Sequence, residues 1–249
     1  MLGIIIGVAS VIAMLSLGEG SKRKMRSEMS QMGTNMIMIM PNFMRRGGVN
    51  LGSSSSNVMK MSDVIALRNE ATSLSAVSPE IRASSQVIYG NQNTQTTIYG
   101  GSEEYMLIKK LDISSGRIFT TQEVKGMAKV CILGGTVVEN LFGEGVDPVG
   151  LTIRIRNMPF QVIGVFKDKG ENGMGMDQDD LIVAPYTTVQ RRLAAIDYIN
   201  SIQASAVSEE KSADAIAEVE QILRRTHKLK ETEENDFRTM SQSELMSTM

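Results

Sequence analysis

The sequence predicts an α+β fold, in which two βαβ units form one layer and a smaller α/β subdomain is inserted between them. Three features of the chain predict this arrangement. A strand–helix–strand pattern occurs near the start and again near the end, short strands and helices alternate in the middle, and an uncharged apolar run precedes them all. Pairing the two outer patterns gives a ferredoxin-like β-α-β-β-α-β layer.

The first βαβ unit is predicted within residues 34–95. Its elements are a strand over 35–40, a helix over 62–71 and a strand over 76–89. We expect Ser62 to be the N-cap of the helix, with Asp63 favourably placed in its first turn. A turn over 90–93, rich in Gly and Asn, follows the unit and leads the chain into the inserted subdomain.

The second βαβ unit is predicted within residues 199–240. Its elements are a strand over 199–207, a helix over 213–229 and a strand over 235–240. The helix has the clearest amphipathic pattern of the chain, with apolar side chains along one face. His227 lies in its last turns, where cations suit the helix dipole, so we expect a surface residue rather than a metal ligand or a base.

Residues 96–198 are predicted to form the inserted α/β subdomain. The apolar run Lys129–Leu133 predicts a buried strand, and its Cys131 is expected to be a structural, unreactive thiol. Capping-box spacing predicts helix starts at Thr120, with Glu123, and at Thr136, with Glu139.

A glycine-rich loop is predicted over residues 169–180. Its carboxylates, Asp177, Asp179 and Asp180, suggest calcium, but the turn glycine and closing glutamate of a calcium loop are absent from the sequence. Its glycines also lack the strand-to-helix context that phosphate binding needs. We therefore expect a solvated loop.

Residues 1–18 are predicted to be part of a first transmembrane helix. The run Met1–Leu17 carries no charge and reaches about 25 Å as a helix, slightly short of a hydrocarbon core of about 30 Å. We expect it to be the outer half of a membrane helix. Gly3 and Gly7 form a G-x-x-x-G pair that suits close helix packing in lipid. The alternatives are a signal-peptide hydrophobic region and a buried soluble helix.

Residues 19–33 are predicted to continue as a stalk helix. Met25, Met29 and Met32 lie on one face of it, which indicates packing against a neighbouring helix or a stalk that carries movement to or from the membrane. The basic cluster Lys22–Arg26 would, by the positive-inside tendency alone, place the following domain in the cytoplasm.

Residues 241–249 are predicted to begin a further helix, because Ser241 and Glu244 have capping-box spacing. Both ends of the layer would then leave as helices. This is the geometry of a domain held between two membrane helices.

Composition excludes several classes of function. The net charge of −2 implies no general attraction to nucleic acid, and an aromatic content of 4% without Trp argues against base-stacking or carbohydrate platforms. The single Cys and single His exclude most His-based metal and triad chemistry. We therefore expect no catalytic residue, no metal and no cofactor in this chain, although the sequence does not exclude Ser–Lys or paired-carboxylate chemistry.

A series of short motifs along the chain resembles the permease of the macrolide-exporter (MacB-type) ABC transporters. No single motif is specific, but their order spans nearly the whole chain. They are MLGIIIGVASV at 1–11, Gly33-Thr34-Asn35, Tyr105 with Gly116-Arg117-Ile118-Phe119, Asp147-Pro148-Val149-Gly150, Met158–Val165, Pro185-Tyr186-Thr187-Thr188 and Asn200-Ser201-Ile202.

This resemblance implies an extracytoplasmic domain between the first and second transmembrane helices, with a porter-like subdomain and a smaller inserted one. It also implies a permease that works as a homodimer or permease pair. A cytoplasmic nucleotide-binding domain holding ATP and magnesium would drive it by mechanotransmission, and a membrane-fusion adaptor, with an outer-membrane channel in Gram-negative members, would complete the export path.

Two points limit the resemblance. The sequence contains no P-loop, so the ATPase activity would lie in another part of the polypeptide or in another subunit. The basic flank Lys22–Arg26 opposes the implied topology, and we give the chain-long resemblance precedence over it. The alternative function is a membrane-anchored sensory or ligand-binding domain, which would have a defined pocket.

Overall fold

The computed structural model describes residues 35–42, 59–171 and 175–242, together with Met14, Glu244 and the backbone of four residues between 45 and 50. Within this part of the chain, no helix has the length and apolar character needed to cross a membrane. The predicted transmembrane and stalk segments fall outside it, apart from Met14.

The described residues form a mixed α+β fold. Its main elements, in chain order, are β1 (Met36–Pro41), α1 (Met61–Glu70), β2 (Leu74–Tyr89), β3 (Gln92–Gly101), α2 (Glu104–Ile108), β4 (Ile113–Gly116), α3 (Thr121–Lys125), β5 (Val130–Leu133), α4 (Gly135–Phe142), β6 (Thr152–Ile155), β7 (Met158–Phe166), β8 (Leu181–Pro185), α5 (Tyr186–Thr188) continuing as a π-helical turn (Val189–Ala194), β9 (Ser201–Ala206), α6 (Ser212–Thr226) and β10 (Phe237–Ser241).

Four strands at one end of the sheet lie in the order β10-β1-β9-β2, and every neighbouring pair is antiparallel. We call this the four-strand section. Helices α1 and α6 connect its strands and pack against each other and against the sheet. Their apolar faces supply Val64, Leu67, Val219 and Leu223 to the core, each with no exposed surface. Burial of such a side chain stabilises a fold by about 1.5–3 kcal/mol.

The middle of the chain closes into a ring of six strands, which we call the barrel section. The pairings run β2-β3-β8-β5-β7-β6 and return to β2 through Val87 and Ile155. Two of these pairs are parallel, β3 with β8 and β5 with β7. Fully buried side chains such as Ile98, Phe160 and Ile182 belong to the core here. β4 adds an outer strand to β7.

Strand β2 belongs to both sections, because it changes partner halfway along. Residues up to Glu80 pair with β9, where Glu80 faces Ser201, and residues from Ile81 onward pair with β3, where Ile81 faces Gly100. One cluster of buried apolar side chains continues through both sections. The two sections are therefore joined by a shared strand and a shared core.

The two ends of the four-strand section lie side by side. β1 and β10 are antiparallel neighbours, and Ile37 near the start of β1 pairs with Ser241 at the end of β10. The predicted capping box is confirmed: the Ser241 backbone N–H donates to the Glu244 carboxylate at 3.0 Å, and the Glu244 N–H donates to the Ser241 hydroxyl at 3.2 Å.

Local details differ from the sequence expectations at the ends of elements. The N-cap of α1 is Lys60, not Ser62, because the Asp63 carboxylate accepts the Lys60 backbone N–H at 2.7 Å and thereby sets the start of the helix. The turn after β2 has two residues, Gly90 and Asn91, rather than four, since β3 already begins at Gln92.

The two predicted capping boxes of the insertion have different outcomes. The box at Thr120 and Glu123 is confirmed, with the Thr120 N–H donating to Glu123 at 2.8 Å. The box at Thr136 is wrong, because α4 already begins at Gly135 with Gly134 as N-cap.

Candidate functional site

The candidate functional site is a charged cluster where the four-strand and barrel sections meet. Its centre is Glu80, whose side chain has no exposed surface although it carries a carboxylate. It lies at the point in β2 where one set of pairings ends and the next begins. Because a buried charge is costly unless it is paired and hydrogen-bonded, the surrounding residues decide whether this position is stable.

Both carboxylate oxygens of Glu80 are fully engaged. Oε1 accepts hydrogen bonds from Arg82 Nε at 2.7 Å and from the Ser201 hydroxyl at 3.0 Å. Oε2 accepts from the Tyr105 hydroxyl at 2.9 Å and from the Gln203 amide at 3.1 Å. These partners come from β2, β9 and α2, so a single side chain ties three elements together.

The charges around Glu80 stabilise its ionised form. Burial alone would raise the pKa of this carboxyl, but the positive charges of Lys109 and Arg82, with hydrogen bonds from Arg82 and Tyr105, hold its pKa below the usual value. Burial and the neighbouring carboxylate raise the pKa of the Tyr105 hydroxyl well above its usual value, so the phenol remains a donor. The cluster can therefore hold a buried negative charge and fix the positions of the elements that contribute to it.

Sequence reasoning did not find this cluster, although one local signal was present. Glu80 and Arg82 are two residues apart in a strand, so their side chains point to the same face. A carboxylate within a strand, with a cation at that spacing, indicates an ion pair on one face of the sheet. The remaining partners come from distant parts of the sequence and give no local signal.

A second ionic cluster joins the two helices of the four-strand section. His227, at the end of α6, is not a surface residue as expected; its side chain is 7% exposed. Its Nδ1 lies 2.8 Å from the Asp236 carboxylate, and its Nε2 lies 3.3 Å from the Asp63 carboxylate in α1. Interaction with Asp63 raises the pKa of His227 above its usual value against the opposing effect of burial, and Asp236 adds to this.

Cys131 and Asp179, which lies in the loop over 169–180, have structural roles. Burial raises the pKa of the Cys131 thiol strongly, and the side chain has no exposed surface, as expected for an unreactive thiol. In the loop, the Asp179 carboxylate accepts the backbone N–H groups of Lys169 and Gly170. Within the described residues, no group of acidic, His or Cys side chains could hold a metal ion.

The sequence-predicted packing residues of the membrane and stalk segments are Gly3, Gly7, Met25, Met29 and Met32. All five lie outside the described residues.

The fold and the site define a mixed α+β domain with neighbouring ends and a charged cluster suited to holding two sections together. The family model for the MacB-like periplasmic core domain matches residues 1–222. The chain belongs to this family.

Curated relatives are similar in sequence to this chain over most of its length. The macrolide export ATP-binding/permease protein MacB of Syntrophobacter fumaroxidans is 40% identical over 206 residues, which cover 82% of this chain and 29% of that protein. The protein of the same name from Azoarcus sp. is 35% identical over 251 residues, which cover 100% of this chain and 36% of that protein. The chain thus spans about a third of the length of the curated relatives it matches.

Two crystal structures share the fold. The periplasmic region of MacB from Actinobacillus actinomycetemcomitans matches with a TM-score of 0.71 and 24% identity, covering 88% of this chain and 94% of that one. The extracellular domain of the noncanonic ABC-type transporter YknZ from Gram-positive bacteria matches with a TM-score of 0.66 and 21% identity, covering 83% and 100%.

Proposed function

We propose that this chain is the extracytoplasmic domain of an ABC-type export permease. It couples ATP hydrolysis on the cytoplasmic side to conformational change outside the membrane and engages an adaptor protein. Family membership supports this proposal. So do the curated relatives, which are named macrolide export ATP-binding/permease protein.

The structural observation that carries the proposal is the pairing of β1 with β10. Ile37 and Ser241 are direct partners, so the chain reaches and leaves the folded domain at one place. The capping box of Ser241 and Glu244 starts a helix directly after β10. A domain with this geometry can be carried by two neighbouring membrane helices and can follow a change in their separation.

The remaining components of the transporter are proposed from the family resemblance. The permease acts as a homodimer or permease pair in the inner membrane, and residues after about 18 lie outside the cytoplasm. ATP and magnesium bind to a nucleotide-binding domain elsewhere in the polypeptide or in a separate subunit. A membrane-fusion adaptor, with an outer-membrane channel where an outer membrane exists, continues the path.

The described fold supports a refined division of the domain. The four-strand section takes the role of the porter-like subdomain, and the barrel section takes that of the inserted one. The change of partner after Glu80 marks their join more naturally than the sequence boundary at residue 95, because β3 runs across that boundary. Gly3, Gly7, Met25, Met29 and Met32 would serve the membrane and stalk helices that move the domain.

Labelling of a single engineered thiol tests the location. Asn91→Cys places a thiol in the exposed turn between β2 and β3, while the buried Cys131 stays unreactive in the folded protein. Intact cells expressing the full-length transporter should be labelled at position 91 by a membrane-impermeant maleimide. Labelling only after lysis of cells with folded, inserted protein would place the domain in the cytoplasm and overturn the proposal.

A matched pair of variants tests the coupling. Glu80→Gln in the full-length transporter should lower macrolide export while leaving ATP hydrolysis largely intact, because it weakens the join between the two sections. Glu209→Gln makes the same chemical change at an exposed position and should leave both activities unchanged. Full export by Glu80→Gln would contradict a role for the join in coupling.

A further inference from the structure

A cleft beside the charged cluster has donor groups that the cluster itself does not use. Its volume is about 240 Å³, smaller than the roughly 300–1,000 Å³ of most ligand pockets. It therefore suits a small molecule or one end of a longer one. Its charged lining residues among those described are Arg82, Lys109 and Lys169, with Glu80, Asp177 and Asp180.

Among the described residues, the ammonium group of Lys109 is held only by contacts longer than a hydrogen bond. Its side chain is 22% exposed, and its ion-pair partner Glu80 lies 3.9 Å away, beyond hydrogen-bonding distance. The Glu80 oxygens already accept four closer donors. Within the described residues, the contacts of the Lys109 ammonium are therefore Glu80, beyond hydrogen-bonding distance, and the Tyr105 ring, whose centroid lies 6.0 Å away.

A second ammonium group, that of Lys169, also lines the cleft. Lys169 Nζ donates to the backbone carbonyl of Lys109 at 2.9 Å. Burial lowers the pKa of Lys169, and the positive charge of Lys109 lowers it further. The two positive charges therefore repel each other, and an anion in the cleft would offset that repulsion.

The acidic residues of the cleft limit the charge of such an anion. The Asp177 carboxylate is engaged by the Asp179 backbone N–H at 2.7 Å and by the Thr136 hydroxyl at 2.7 Å. With three cations balanced by three carboxylates, each further negative charge on a ligand meets increasing repulsion. A singly charged anion is thus favoured over a doubly charged one.

The uncharged lining residues favour an organic ligand. Met36, Leu111 and Leu181 line the cleft, together with the rings of Tyr99 and Tyr105. Arg82 lies 5.6 Å from the Tyr99 ring centroid, which places a guanidinium and an aromatic surface together at the cleft. Apolar lining with a few convergent polar groups is the common pattern of small-molecule sites.

We propose that this cleft binds a small organic monocarboxylate with an apolar body. The carboxylate would be bound by Lys109 and Arg82 at the inner end, and the apolar body would lie against Met36, Leu111 and Leu181. This inference is independent of the transport function proposed above, since it depends only on the local chemistry of the cleft.

A pair of isosteric probes tests the proposal on the unmodified protein. Isothermal titration of the full 249-residue chain in detergent should show saturable binding of isovalerate, none of isovaleramide, which has the same shape without the charge, and weaker binding of inorganic phosphate. Equal binding of isovaleramide or phosphate, or no binding of isovalerate, would overturn the proposal without any variant.

Matched substitutions locate the binding. Lys109→Met should weaken isovalerate binding roughly tenfold, because a charge-assisted hydrogen bond is lost. Lys169→Met should also weaken it, and this second variant leaves the Glu80 cluster intact. Lys167→Met is the control, since that exposed lysine lies outside the cleft. Unchanged binding in folded Lys109→Met and Lys169→Met would place isovalerate elsewhere.

Discussion

At the scale of single residues, Glu80 makes more interactions than its neighbours in the sequence could provide. One carboxylate accepts four hydrogen bonds and neutralises part of two cations. Such a residue stabilises the native state chiefly because its removal leaves the surrounding charges without a partner.

Glu80→Ala should therefore lower the free energy of unfolding by about 3 kcal/mol at neutral pH, as for a buried ion pair that loses one member. Because the pKa of Glu80 is below its usual value of 4.5, its contribution is present above that pH and is lost as the pH falls through the lowered pKa. Urea unfolding at several pH values checks this. The exposed control Glu209→Ala should change stability by no more than about 0.5 kcal/mol.

His227 should give the opposite pH dependence. Its pKa is raised in the folded protein, so its ion pairs stabilise the fold fully below its usual pKa of 6.5 and are lost as the pH rises through the raised value. His227→Gln should cost about 1.5–3 kcal/mol near pH 5.5 and clearly less near pH 9.

Urea unfolding of wild type and variant at both pH values measures this difference. The exposed control Lys230→Gln should show little change at either pH. A cost of His227→Gln that is the same at both pH values would mean that the histidine acts through packing alone.

Cys131 and His227 show which properties of a single residue can be predicted from the sequence. The inert role of Cys131 was predictable because an apolar strand surrounds it. The burial of His227 was not, since its nearest carboxylate in α1 comes from a distant part of the chain. Helix-end position alone favoured a surface residue, and tertiary packing overrode that preference.

At the scale of elements, the contact of β4 with β7 depends on a glycine. Gly116 has a φ of +82°, and a Cβ placed there would lie 2.2 Å from the Ile163 carbonyl oxygen. Both the backbone conformation and the available space therefore exclude a larger residue.

Gly116→Ala should lower the free energy of unfolding by about 3 kcal/mol, because backbone strain adds to a steric clash. Gly150→Ala separates the two effects: its φ is +90°, but a Cβ there would meet nothing within 4 Å. That variant should cost only about 1–2 kcal/mol. Equal losses in urea unfolding would show that the clash at Gly116 is relieved by movement of the neighbouring strand.

Most strands and the long helices could be predicted because their signals are local. Alternation, amphipathic spacing and capping boxes all act within a few residues. The start of α4 was missed for a physical reason: a Cβ on Gly134 would lie 2.1 Å from the Asp179 carbonyl oxygen, so contact with a distant loop fixes this position. The barrel closure was also missed, since β3 and β8 pair across a long stretch of sequence.

At the scale of the whole molecule, the shared strand and the shared core join the two sections. β2 runs through both, and one apolar cluster extends across them. Neither section has its own complete set of strands without β2. The two sections should therefore unfold together rather than as separate domains.

Two probes in different sections test this cooperativity without substitutions. Hydrogen exchange of the β1 amides reports on the four-strand section, and pulsed alkylation of the buried Cys131 reports on the barrel section. Their urea midpoints should coincide, as in a two-state transition. Separated midpoints would mean that β2 can lose one set of partners while keeping the other.

The pairing of Ile37 with Ser241 has a consequence for inserting this domain into another polypeptide. Neighbouring strands lie about 5 Å apart, so a host polypeptide interrupted by this domain needs to open a gap no wider than a hairpin turn. Folding of the domain closes that gap, and the host bears little loop-closure entropy for the many residues between. The domain can therefore be moved as one unit into another protein. Grafted into an exposed turn of an unrelated host, it should leave both folds intact.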